Sequence, residues 1–155
     1  MNSSRLPMLA SVLLVVCVLS VAALGQAVQN PSMVRQIIVP GEDRFTPFAI
    51  TIRVGQTVEW VNNDTDDHTI VSNDAFNTEG HHGLDHLIPG TDNNGGKPGT
   101  FSMTFNTPGN FVYYCRFHSH LDAHHQPTAP GPDGGIQADD GNFGTPMMGV
   151  ITVLP

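Results

Sequence analysis

Short segments that mostly alternate apolar and polar residues make up much of the chain after residue 32. They are rich in Val, Ile, Thr and aromatic residues, and Gly, Pro, Asn or Asp bounds each one. A period of two is typical of strands that bury one face, and no segment among them sustains a helical period. The pattern predicts an all-β fold, a Greek-key sandwich or barrel of about seven to eight antiparallel strands. The segments are 33–41, 48–55, 57–62, 68–72, 100–105, 110–115 and 149–155.

Two long stretches, 73–99 and 119–146, interrupt this pattern. Both are rich in Gly, Pro, Asp and His. Loops of this length inside a compact domain are usually functional or disordered. We therefore expect two long loop insertions in the β domain.

Residues 1–25 are predicted to be a secretory signal peptide. Arg5 precedes an apolar run from about Met8 to Leu24, and small residues suited to cleavage follow. The domain then spans 26–155, and the protein is expected to be exported to the periplasm or the extracellular space. The alternative is an uncleaved leader that tethers the protein to a membrane, because the run is barely shorter than a membrane span.

The charge is strongly acidic. The chain has a formal net charge of −8, and loss of Arg5 leaves five basic against fourteen acidic residues, or −9. Nucleic acid is excluded as a partner by this balance. A cation or a protein with a positively charged docking surface suits it.

Cysteine usage points to a metal. Cys17 lies in the leader, so Cys115 is the single cysteine of the mature chain. A lone cysteine in an exported protein cannot form an internal disulfide, and metal ligation would explain it. The alternatives are a buried structural thiol and a catalytic nucleophile, and nothing near Cys115 suggests an oxyanion hole.

Further metal-ligand residues lie at the ends of predicted strands. His68 begins one strand, Cys115 ends another, and His118 follows Cys115 after a short turn. Met147 and Met148 open the last strand. Strand ends that are distant in sequence cluster at one pole of a Greek-key sandwich. Two imidazoles, one thiolate and a weak axial thioether would there form a blue, or type 1, copper site.

At this point the chain resembles the cupredoxins, and specifically the plastocyanin-like small blue copper proteins. The resemblance covers most of the chain after the leader: "FAITIRVGQTVEWVNND" before the first His, "GTFSMTFNTPGNFVYYC", Cys-x-x-His and "MMGVITV". It implies one type 1 copper ion and maps the axial ligand onto the first Met of the last motif. The implied ligands are His68, Cys115, His118 and Met147.

Two departures from the family pattern affect the ligand loop. Plastocyanin-like proteins usually place the Met a few residues after the second His, whereas 28 residues separate His118 from Met147. His120 lies five positions after Cys115, as in the azurin branch, and competes with His118. The two residues between Cys115 and His118 match the plastocyanin-like pattern and favour His118 as the ligand. His120 would then belong to the insertion.

The resemblance implies single-electron transfer between redox proteins, with no small-molecule substrate and no enzymatic activity. The alternative is a copper-handling protein in which the His-rich stretches form an accessory metal site. A mononuclear copper enzyme with an open coordination position is a weaker third reading. The residues available for an accessory site are His81, His82, His86, His124 and His125, beside Glu79, Asp85 and Asp122.

Other conspicuous residues have simpler interpretations. The segment 62–67, "NNDTDD", is interpreted as a solvated turn, and the Thr69 hydroxyl is a candidate to support the copper site. Aromatic residues are assigned to core and pole packing. They are Trp60, Phe101, Phe105, Phe111 and Tyr113.

Overall fold

A computed structural model describes residues 34–137 and 141–155. These residues form strands joined by turns and contain no helix. The predicted signal peptide lies outside the described residues. Within them, no helix is long and apolar enough to cross a membrane. The strands are β1 (Arg35–Val39), β2 (Ala49–Arg53), β3 (Thr57–Asn62), β4 (His68–Ser72), β5 (Asp85–Ile88), β6 (Gly99–Thr104), β7 (Gly109–Tyr114), β8 (His120–Leu121), β9 (Pro127–Thr128), β10 (Ile136–Gln137), β11 (Phe143–Thr145) and β12 (Met148–Leu154).

Two main sheets build the domain. One has five strands in the order β2-β12-β7-β4-β5, and the other has three in the order β1-β3-β6. Buried residues of both sheets form one apolar cluster, so the sheets pack as a sandwich. The predicted all-β sandwich is confirmed, and its two main sheets together have eight strands, within the predicted seven to eight. The expectation of purely antiparallel pairing was wrong, because β1 pairs with β3 and β2 pairs with β12 in parallel.

The core follows from the alternation along each strand. In β3, Val58, Trp60 and Asn62 face inward and their neighbours are half-buried. The Trp60 ring lies edge-on to Tyr113, with 5.4 Å between centroids, and stacks on Phe101 at 5.6 Å. Such contacts add to the free energy gained by burying the rings. The predicted aromatic core is confirmed, with Phe101 only partly buried.

Both predicted insertions contain strands that the sequence did not indicate. β5 lies in the first insertion and pairs with β4 at the edge of the large sheet. The second insertion forms two small sheets, β8-β9 and β10-β11. Strands of two to four residues are too short to show a period of two, so the sequence predicts loops there.

Candidate metal centre

Three strand ends meet at one pole of the sandwich. Cys115 directly follows β7, His68 is the first residue of β4, and Met147 directly precedes β12. β7 pairs antiparallel with both β12 and β4, and its last residue, Tyr114, lies opposite Met148 and Val71. The chain beyond Tyr114 therefore passes the beginning of β12 and runs toward the beginning of β4. The Cys115 amide donates to the Met147 carbonyl at 2.9 Å, which joins the two ends.

Two imidazoles flank the cysteine sulfur. Nδ1 of His68 lies 3.8 Å from Cys115 Sγ, and Nδ1 of His118 lies 3.6 Å from it. The three donor atoms all lie within 4.8 Å of one another, and all three residues are buried. A His2Cys set of this kind is the ligand set of blue copper sites.

Thr69 supports the same sulfur. Its amide and its hydroxyl lie 3.4 Å and 3.6 Å from Cys115 Sγ. The hydroxyl oxygen also accepts a hydrogen bond from the Arg116 amide at 3.0 Å. One side chain therefore fixes both the sulfur and the chain that leaves it, as expected for the Thr69 hydroxyl.

The surroundings favour the thiolate form of Cys115. Burial alone would raise the pKa of the thiol, but hydrogen bonds from His118, His68 and Thr69 lower it from 9.0 to about 5. Burial lowers the pKa of His68 and of His118. The hydrogen bond to Cys115, the charge of Cys115 and the nearby aspartate, which is Asp64 for His68 and Asp43 for His118, together outweigh it and raise both values. The thiolate is the form that binds a metal ion.

Strand parity distinguishes the two methionines. Met147 is buried and alternates in step with the buried residues of β12, which are Gly149, Ile151 and Val153. Met148 is half-buried and pairs with Tyr114. Successive side chains of a strand point to opposite faces. Only Met147 therefore belongs to the inward-facing set that includes Cys115.

His120 is held away from the sulfur by the second insertion. Its Nδ1 donates to the Pro130 carbonyl at 2.7 Å, and its side chain is exposed. His118, in contrast, is 4% exposed and lies beside Cys115.

The insertion packs on the backbone of the ligand loop. The Asp133 amide donates to the Phe117 carbonyl at 2.8 Å. A methyl group added to Gly131 would overlap the Phe117 carbonyl and the Ser119 amide. The turn around residues 130–135 can therefore lie this close only because position 131 lacks a side chain.

Each imidazole contacts one aspartate through the ring nitrogen that faces away from the sulfur, and neither aspartate was predicted from the sequence. Asp64 Oδ2 lies 3.1 Å from His68 Nε2, and Asp43 Oδ1 lies 3.3 Å from His118 Nε2. Asp64 is 8% exposed, so the interpretation of residues 62–67 as a solvated turn was wrong at this position. The four-residue spacing of Asp64 and His68 was an available signal, whereas nothing in the sequence places Asp43 near His118.

The other histidines are dispersed over separate contacts. His81 Nε2 donates to the Thr104 carbonyl at 3.2 Å, His82 lies near Asp74, and the His86 ring stacks on Phe101 with 3.9 Å between centroids. His124 and His125 lie in the turn after β8. Among residues 34–137 and 141–155, no group of three possible metal ligands includes any of these five.

Comparison with known proteins agrees with the donor chemistry. The profile of the family described as copper binding proteins, plastocyanin/azurin family, matches residues 37–123, more than half of the chain. The reduced state of an amicyanin mutant is similar in structure: the TM-score is 0.50 at 16% identity, over 81% of this chain and 87% of that chain. A Cu(I) amicyanin mutant gives 0.50 at 15%, over 78% and 82%. Amicyanin from Paracoccus versutus gives 0.44 at 17%, over 81% and 86%. At these identities, the likeness to the two structures with a TM-score of 0.50 supports the fold alone.

Proposed function

Because the chain belongs to the plastocyanin/azurin family of copper-binding proteins, we propose that it carries single electrons between redox proteins outside the cytoplasm. Its cofactor is one type 1 copper ion. Bound copper supplies a one-electron Cu(II)/Cu(I) couple. The proposal includes no substrate conversion and hence no enzymatic activity, in keeping with the electron-carrier role of the family.

The observation that carries the proposal is the pair of imidazole Nδ1 atoms at 3.8 Å and 3.6 Å from the Cys115 sulfur. Soft thiolate favours Cu(I), and imidazole suits both oxidation states. The proposed ligands are His68, Cys115 and His118, with Met147 as the weak axial ligand. Strand ends position these residues, and hydrogen bonds fix the two imidazoles and the sulfur, so a bound ion would change its charge with little movement of its ligands.

A cleft beside His118 supports docking of a cationic partner. The cleft has a volume of about 400 Å³, and three carboxylates, of Asp66, Asp67 and Asp133, lie in its wall together with His118. A redox protein with a positively charged surface would be attracted to this pole, where His118 lines the cleft. Export through the leader at residues 1–25 would bring the protein to such a partner in the periplasm or the extracellular space.

Spectroscopy of the copper-loaded protein tests the proposal. An intense visible charge-transfer band and a narrow copper hyperfine splitting in the paramagnetic-resonance spectrum are expected for a Cys–Cu(II) type 1 site. Rapid, reversible one-electron oxidation and reduction should accompany them. A pale Cu(II) form with a wide hyperfine splitting would contradict the proposal.

The second candidate function is copper handling, which would use an accessory metal site built from the loop histidines. The dispersed positions of these histidines do not favour such a site. Calorimetric titration of Cu(II) into the copper-loaded protein, at neutral and mildly acidic pH, tests it. We expect no further tight binding. A second, acid-labile site that disappears when His81, His82 and His86 are replaced together would restore the handling function, because only a neutral imidazole binds a metal.

A further inference from the structure

Each imidazole beside the cysteine sulfur contacts an aspartate through its other nitrogen. His68 faces Cys115 with Nδ1 and Asp64 with Nε2, and His118 faces Cys115 with Nδ1 and Asp43 with Nε2. One carboxylate oxygen of Asp43, one of Asp64 and a ring nitrogen of His68 lie within 4.8 Å of one another. The two carboxylates thus form one acidic bracket, Asp43 and Asp64, across the outer edges of both rings.

We propose that Asp43 and Asp64 are positioning residues for the copper site, which accept the Nε2–H bonds of His118 and His68 and keep each Nδ1 directed at the metal. A neutral imidazole that binds a metal through one nitrogen carries its proton on the other. That N–H needs an acceptor when the ring is buried, and a carboxylate both fixes the ring and increases its basicity. This inference rests on the proposed function.

The chain builds the bracket from two separate turns. The Asn62 side chain accepts from the Asp64 amide at 3.0 Å and donates to the Asp66 carbonyl at 2.8 Å, which shapes the turn before His68. Asp64 Oδ1 accepts from the Thr65 amide at 2.7 Å, so its other oxygen is left for His68. Asp43 lies in the turn after β1 at a φ of 38°, a left-handed conformation that aspartate tolerates.

The bracket is better explained as a pair of acceptors than as a second metal site. His68 faces Asp64 with Nε2, so Asp43, Asp64 and His68 could group around an ion through that nitrogen. With Nδ1 directed at copper, that nitrogen would have to lose its proton to bind a second metal. Donation of the N–H to Asp64 at 3.1 Å requires no such loss.

Asp43→Gly is the main test, because glycine removes the carboxylate and accepts the left-handed backbone. We expect Cu(II) to bind roughly ten to a hundred times more weakly, the usual effect of removing such a partner. Asp43→Asn keeps a carbonyl acceptor and should lose less. The Asp43 carboxylate stabilises Cu(II) more than Cu(I), so its removal should weaken Cu(II) binding more than Cu(I) binding. Each tenfold difference between these two losses of affinity raises the reduction potential by about 59 mV.

A second measurement reads the hydrogen bond itself. In the diamagnetic Cu(I) protein, nitrogen-detected NMR should show a slowly exchanging Nε2–H on both rings, and Asp43→Gly should make that of His118 exchange fast. Asp66→Asn is the control: it removes one negative charge from the cleft beside His118, and Asp66 hydrogen-bonds to neither imidazole. Circular dichroism of the copper-free variants checks their fold.

The outcomes are distinguishable. If the parent protein shows no type 1 spectrum, the proposed function fails. If the parent shows it and Asp43→Gly changes neither Cu(II) affinity nor Nε2–H exchange, or if Asp66→Asn has an equal effect, the positioning role is refuted. Should Asp43→Gly not fold, Asp64→Asn applies the same test at His68, since the amide can keep the Thr65 bond while presenting NH2 to Nε2.

Discussion

Cys115 concentrates more of the local interactions than any other residue at this pole. Two imidazoles, one amide and one hydroxyl lie between 3.4 Å and 3.8 Å from its sulfur. Hydrogen bonds to a thiolate stabilise the charged form, which is why its pKa falls to about 5 despite burial. The site is therefore arranged around a sulfur anion before any metal arrives.

Cys115→Ser should abolish the visible charge-transfer band of the copper-loaded protein. Oxygen cannot replace the soft, covalent Cu–S bond, whereas serine has nearly the same shape as cysteine. Circular dichroism should show the strands retained. A serine variant that kept the colour would mean that the sulfur does not bind copper.

Met147→Leu should raise the reduction potential, because it removes a donor that stabilises the oxidised ion. Met148→Leu is the matched control, since the neighbouring side chain points to the other face of β12 and should leave the potential nearly unchanged. Voltammetry of both variants decides. A larger shift in Met148→Leu would overturn the parity argument.

His118→Ala should disrupt the type 1 spectrum, and His120→Ala should leave it almost intact. His118 lies 3.6 Å from the sulfur, while His120 is bonded to the insertion through Pro130. Electron paramagnetic resonance of the two Cu(II) variants provides the comparison. Equal loss in both would require a loop in which both rings reach the metal.

At the scale of elements, the second insertion behaves as a folded cover on the ligand loop. Gly131→Ala should destabilise the protein by about 1–3 kcal/mol, because the added methyl group overlaps the Phe117 carbonyl and the Ser119 amide. It should also broaden the copper spectrum by shifting His118. Denaturant titration and optical spectroscopy measure the two effects.

Gly41→Ala is the matched control for this substitution. A methyl group at Gly41 would meet only the Asp64 Oδ1 atom, at the ordinary contact distance of 3.7 Å. Its effect on unfolding should be within about 0.5 kcal/mol. If both alanine variants lost equal stability, packing of the insertion on the loop would not explain the result.

The elements that the sequence predicted are those long enough to show a period of two. β3, β4, β7 and β12 were anticipated almost residue for residue, and their ends place His68 and Cys115 together. The strands of two to four residues in the insertions could not show a period. The parallel pairing of β1 with β3 depends on the tertiary fold and cannot be predicted from the local sequence pattern.

The site was predictable to the same extent. His68, Cys115 and His118 are brought together at strand ends, as the motif spacing suggested. The Asp43 contact was not predictable, because it joins residues 75 positions apart through a turn whose path depends on the whole fold. The five other histidines illustrate the opposite error: proximity in sequence within a loop does not make a ligand cluster.

At the scale of the whole molecule, the negative charge predicts how electron transfer depends on salt. Oxidation of the reduced protein by a cationic cobalt(III) complex should slow as ionic strength rises, and oxidation by an anionic iron(III) cyanide complex should accelerate. Salt screens the attraction in the first case and the repulsion in the second. Stopped-flow measurements over a range of salt concentrations test both predictions. If the two rate constants depended on salt in the same way, the acidic cleft beside His118 would play no part in the approach of the oxidant.

Complete burial of the Cys115 sulfur also bears on the life of the protein before it acquires its metal. A thiolate is the species that peroxide attacks and that joins two chains through a disulfide, and both reactions need access to the sulfur. The described part of the chain contains one free cysteine, closed off by the core and the ligand loop. Burial of the sulfur should therefore slow both the oxidation and the covalent dimerisation of the newly folded, copper-free protein.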